Sequence, residues 1–228
     1  GQTTALYRYD ENERQIDNIT DWGLKQFQEN YKNKRITKED IFYYVYAVLH
    51  NPAYRKKYEI NLKREFPRIP FYDDFKNWRN WGKTLMDIHI NFETAAPFNL
   101  KRAEKVPPKQ KRPKLLDVVP TNQLPESEQA ERSPKPRLKT DKEHGSIELD
   151  DQTTLTGVPK EAWEYRLGSR SALEWVLDQY KEYKPSDPTI AEKFNTYRFA
   201  DYKEKVIDLL KRVCTVSIKT MEIIEQML

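Results

Sequence analysis

Apolar side chains recur at helical spacing through the first ninety residues. Leu24, Phe27 and Tyr31 share one face of a helix that opens at Thr20 or Asp21, where a side-chain oxygen can accept a first-turn amide proton. A second helix follows Thr37, with Glu39 and Asp40 at its positive end. Its Ile41, Val45, Val48 and Leu49 keep helical spacing, while Phe42, Tyr43, Tyr44 and Tyr46 fill most of the remaining circumference. A helix apolar nearly all round has to be covered nearly all round, which makes this one the expected core helix. Asn51-Pro52 ends it and opens another, with Tyr54, Tyr58, Leu62 and Phe66 as the predicted buried stripe. Arg55, Lys56, Lys57, Lys63 and Arg64 lie opposite. Pro67 and Pro70 then forbid helix and hold Arg68 and Ile69 extended. The next helix, from about Asp73 to Phe92, is expected to bury Phe75, Trp78, Trp81, Leu85, Ile88 and Phe92. Gly82 within it costs about 1 kcal/mol relative to alanine, which predicts a close helix crossing there.

The pattern changes after Pro97. Eight of the 14 prolines fall between Pro97 and Pro136, and aromatic residues vanish after Phe98, so this stretch predicts a basic, mobile linker with no packed layer. Three short β-branched runs follow, Arg137 to Thr140, Ser146 to Leu149 and Thr153 to Thr156, separated by polar turns, and they read as a small antiparallel meander. Pro159 can open a short helix through Trp163 and Tyr165. Ser171 and Glu174 have capping-box spacing ahead of Leu173, Val176, Leu177 and Tyr180. A long helix from about Tyr202 to Met227 closes the chain and is expected to pack across the first four. The fold class is therefore α+β and predominantly helical. One domain is expected, with a helical part (about 18–94), a basic proline-rich segment (about 101–134), a short-strand part (about 135–158) and a C-terminal helical part (about 159–228).

Composition narrows the chemistry. A chain of 228 residues can bury a sizeable core without staples. Cys214 is the lone cysteine and sits at a core position of the last helix, so no internal disulfide forms and a cytoplasmic setting is expected. The start at Gly1-Gln2, without methionine, reads as a piece excised from a longer chain. His50, His89 and His144 lie far apart and form no metal-ligand pattern; His50 reads as a helix-end histidine on free carbonyls. No glycine-flanked serine, phosphate-cradling glycine loop or paired-histidine motif occurs, so no catalytic residue is assigned. The aromatics sit at helical spacing, and core packing accounts for them without a stacking role.

The basic clusters remain. The net charge of +4 is small, but it is unevenly spread: residues 101 to 114 carry +6, and Arg132 to Lys142 another +4. Lysine and arginine neutralise phosphates, and arginine also reads guanine edges. On these grounds Lys63, Arg64 and Arg68, at the proline-held exit of the core helices, are candidate DNA contacts, with a solvated helix face as the alternative reading.

Four blocks carry a resemblance: RYDENERQIDNITDW, ITKEDIFYYVYAVLHNPAYRKKYEINLKREFPRIPF, TLTGVPKEAWEYRLGSRSALEWVLDQY and VIDLLKRVCTVSIKTMEII. Together they resemble the C-terminal target-recognition domain of type ISP restriction-modification enzymes. The resemblance implies a non-catalytic module that grips duplex DNA. Elsewhere in the same polypeptide it implies a methyltransferase, a helical coupler, a helicase-like ATPase and a nuclease. It implies no cofactor in this chain, and S-adenosylmethionine, ATP and Mg in the parent enzyme. With it, the candidate DNA contacts become Lys63, Arg64, Arg68, Arg137, Lys139, Lys142 and Arg170. The chain departs from the family in a longer basic segment after Lys101 and in the loop after Tyr180, where target choice would reside. A helical docking domain without DNA contact is the alternative.

Overall fold

The computed structural model describes residues 5–105, 134–183 and 197–228. They form two compact units, Gly1–Ala95 with Ile218–Leu228, and Ala96–Ser217.

In the first unit β1 (Tyr7–Tyr9) and β2 (Gln15–Asp17) pair as an antiparallel hairpin. Asp10 Oδ1 closes its turn by accepting the Asn12 and Arg14 amides at 2.8 and 2.9 Å. Helix α1 (Asp21–Asn30) is capped by Thr20, whose side chain accepts from the Gly23 amide. Helix α2 (Lys38–His50) carries a complete capping box between Thr37 and Asp40. Two short helices follow, α3 (Pro52–Lys57) and α4 (Glu59–Leu62), then α5 (Phe75–Ile90). Helices α2 and α5 cross at Gly82, where a Cβ would lie 1.7 Å from the Tyr43 carbonyl oxygen. Only glycine fits, as its cost in helix propensity implied. Phe27, Tyr44, Ala47, Val48 and Leu85 form the core with Ile223 and Met227 from the end of the chain. Trp78 and Leu85 are buried on α5, whereas Phe75, Trp81, Ile88 and Phe92 are half-buried.

The expected helix from Pro52 to Phe66 is not continuous. It breaks at Tyr58 (φ −110°, ψ 20°), which rotates the apolar stripe out of register. Tyr54 is buried, Tyr58 and Leu62 are half-buried, and Phe66 is 66 % exposed, which corrects its assignment to the core.

A polar cluster lies inside this unit. His50 Nδ1–H donates to the Tyr46 carbonyl at 2.7 Å, as expected for a helix-end histidine. The Tyr46 hydroxyl lies 2.7 Å from His89 Nδ1, and His89 Nε2 lies 2.9 Å from Thr220 Oγ1. Burial lowers the pKa of both histidines; His89, with His50 alongside, falls to about 4.

The second unit is built on a four-stranded antiparallel sheet of order β3-β6-β5-β4, comprising β3 (Lys101–Glu104), β4 (Pro136–Asp141), β5 (Ser146–Asp150) and β6 (Thr153–Thr156). The three-strand meander is present. Strand β3 is an addition, since Lys101–Glu104 pairs residue by residue with Thr156–Thr153 and does not begin a linker. The rest of the expected basic linker, residues 106–133, lies outside the described residues. Ile147, Leu149 and Leu155 are fully buried on one face of the sheet, while Ser146, Glu148, Thr154 and Thr156 line the other. Helix α6 (Glu161–Glu164), the hairpin of β7 (Arg166–Leu167) and β8 (Arg170–Ser171), and α7 (Ala172–Gln179) follow. The Ser171–Glu174 capping box forms, and α7 packs against β4.

The last helix, α8 (Phe199–Glu225), belongs to the second unit as far as Ser217, and only its final turns join the first core. The expectation that it packs across the first helices therefore holds for its end alone. Cys214 is buried on it, which pushes its thiol up to about 12. Among the described residues no helix is long and apolar enough to cross a membrane.

Candidate nucleic-acid interface

Three candidate cations, Lys63, Arg64 and Arg68, lie in the first unit on the exit from α4. This segment is held by tyrosines. Tyr54 Oη donates to the Arg68 carbonyl at 2.9 Å, Tyr44 Oη to the Pro70 carbonyl at 2.8 Å, and Tyr31 Oη to the Tyr72 carbonyl at 2.7 Å. The Tyr72 amide in turn donates to Tyr44 Oη at 2.7 Å. Pro67 and Pro70 fix their own φ angles, and the hydroxyls fix where the segment lies. The Arg68 backbone is thus anchored while its side chain is 92 % exposed, 3.6 Å from Glu65. Lys63 pairs with Glu59 at 2.7 Å across one helical turn, an exposed contact that solvent screens. Arg64 is exposed and enters no ion pair among the described residues. From Pro52 to Arg68 the cations Arg55, Lys56, Lys57, Lys63, Arg64 and Arg68 face only Glu59 and Glu65, leaving +4, as much as the whole chain carries.

The other four lie in the second unit, in two pairs. Arg137 and Lys139 flank a bulge in β4, where Leu138 takes a positive φ of 45° and the register slips between Pro136 and Lys139. The slip sets both cations against Glu148. Lys139 is its cross-strand partner, and Arg137 Nη1 lies 3.5 Å from Glu148 Oε2. Lys142 and Arg170 meet α7 instead. Lys142 Nζ is 2.8 Å from Glu174, and Arg170 pairs with Asp178 one turn on, which also holds Lys181 at 2.8 Å. Burial alone would raise the Glu174 pKa, but the hydrogen bonds from Lys142 and Ser171 outweigh it and hold the carboxyl below its ordinary range. Lys181 and Arg170 lower Asp178 likewise. These two candidates spend part of their charge within the fold, which the spacing of residues in the sequence could not show.

The sequence marked Arg55, Lys56 and Lys57 as the polar side of a helix. The structure adds them to the basic surface, exposed in the last turn of α3. Among the described residues no three or more His, Cys, Asp or Glu side chains come together as metal ligands.

The model of the Type ISP C-terminal specificity domain matches residues 1–209. The chain belongs to this family. Solved structures similar to it include the following three. In a cryoEM DrdV–DNA complex, the matching chain is 52% identical over 98% of this one, with a TM-score of 0.85. A nuclease-deletion mutant of the Type ISP restriction-modification enzyme LlaGI, in complex with a DNA substrate mimic, is 26% identical over 97% with a TM-score of 0.63. The ATP-dependent Type ISP enzyme LlaBIII, bound to DNA, is 23% identical over 96% with a TM-score of 0.67, a likeness of fold. This specificity domain spans 21%, 17% and 13% of those chains. No curated protein matches it.

Proposed function

We propose that the chain is the DNA target-recognition module of a type ISP restriction-modification enzyme. It does no chemistry itself and holds a duplex for the methyltransferase, ATPase and nuclease of the same polypeptide, in the cytoplasm. S-adenosylmethionine, ATP and Mg serve those other modules. The observation that carries the reading is the 52% identity to a chain solved with DNA, together with a basic segment, Pro52 to Arg68, that carries +4 and whose exit is pegged by Tyr54. Lys63, Arg64, Arg68, Arg137, Lys139, Lys142 and Arg170 are its proposed contacts. The lysines take phosphates, because an ammonium is a point charge without the planar fork that reads a base. Binding of the chain to duplex DNA at two salt concentrations tests it. Affinity must fall steeply with salt, since each phosphate contact releases counterions. Absence of binding at low salt would rule the module out as a DNA clamp.

A further inference from the structure

The break at Tyr58 leaves a depression of about 260 Å³ between the α3–α4 turn and the proline-held exit. Its apolar lining is Tyr58, Leu62 and Phe66, and Asn61, Glu65 and Arg68 bring polar groups to it. Its floor is firm, since Tyr54 is 2 % exposed, packs its ring 5.0 Å from that of Tyr58 and holds the Arg68 carbonyl. Its rim is open. Phe66, 66 % exposed, is a large apolar side chain held out in water, in a segment whose sequence carries six cations. Lys57 Nζ lies 5.3 Å from the Tyr58 ring centroid.

Such a pocket is below the roughly 300–1,000 Å³ that takes a drug-sized ligand and has the size for a single ring system. The aromatic walls favour stacking, the amide and carboxylate offer partners to a ring edge carrying donors and acceptors, and the local +4 calls for an anionic tail. A nucleobase attached to its sugar-phosphate strand combines all three.

We propose that the Tyr58–Phe66 pocket binds a single unstacked nucleobase, with Phe66 as the stacking face and Arg68, Arg64 and Lys57 on the adjoining phosphates. The proposal rests on the DNA-binding reading and goes beyond it, because a surface that merely follows duplex phosphates needs neither an exposed phenyl ring nor a pocket.

The test uses the 228-residue chain, a short labelled duplex and the same duplex with a single-nucleotide bulge carrying 2-aminopurine. The bulged probe is expected to bind roughly tenfold more tightly, with quenching of 2-aminopurine, as stacking on one aromatic ring supplies. Phe66→Ala, at an exposed position that leaves the core intact, abolishes both the preference and the quenching, and Phe66→Trp retains them. Arg64→Ala weakens both probes alike. Equal affinity for the two probes, or a preference that survives Phe66→Ala, overturns the pocket while leaving duplex binding standing. Failure to bind either probe overturns both.

Discussion

Lys203 Nζ, on the first turns of α8, lies 2.8 Å from Asp150 Oδ2 at the turn between β5 and β6, with side-chain exposures of 14% and 2%. The carboxylate also accepts the Gln152 and Thr153 amides at 2.9 and 2.7 Å, so one buried group closes the hairpin and fixes it to the helix. Lys203 reaches Thr153 Oγ1 as well, which donates onward to Glu104 Oε2 on β3 at 2.8 Å. Lys203→Met strands the Asp150 carboxylate and should cost about 3 kcal/mol of unfolding free energy. A chemical-denaturation midpoint checks it, and the double variant Lys203→Met, Asp150→Asn should recover part of the loss.

Gly82→Ala should destabilise the first unit by about 3 kcal/mol or more, because the new methyl would meet the Tyr43 carbonyl oxygen, a backbone atom with no rotamer to change. Thermal melting followed by circular dichroism reads it directly. Gly23→Ala serves as the control, since its Cβ would meet nothing nearer than 3.4 Å.

The first unit should also lose stability in acid through its histidines. His89 falls from 6.5 unfolded to about 4 folded, so between those values the unfolded chain binds a proton that the folded one refuses. The contribution is intact above pH 6.5 and is lost as pH falls towards 4. It amounts to about 3 kcal/mol at most, for a group that is partly screened. Denaturation midpoints at pH 7.5 and 4.5 should differ less for His89→Gln than for the parent chain.

On DNA, Arg64→Ala and Arg68→Ala should each lower affinity across sequences and reduce the slope of log affinity against log salt by about 1. Asp178→Asn should act the other way and tighten binding several-fold, because it releases the Arg170 guanidinium from its partner on α7. Fluorescence anisotropy titrations over a salt series measure both.

Much of this fold was legible because the decisive interactions are local. Thr37 and Ser171 cap helices through residues three positions on, and Gly82 declares a crossing by being the wrong residue for its helix. Strand β3 was hidden for the opposite reason. KRAE has no β-branched or aromatic side chain, and its strand state comes from pairing with Thr153–Thr156 some fifty residues on. Phe66 misled because four aromatic and aliphatic residues at every fourth position look like one stripe until a single residue, Tyr58, leaves helical geometry. The candidate contacts were visible as cations, but their carboxylate partners, Glu148, Glu174 and Asp178, are set by tertiary pairing.

The core of the first unit draws Ile223 and Met227 from the far end of the chain, and Asn51 Nδ2 donates to the Met227 carbonyl at 3.1 Å. Cutting after Ala95 would uncover apolar surface that Ile223 and Met227 cover. Any recombination that exchanges this unit between related specificity domains has to carry the head and the tail of this chain together, as one heritable cassette.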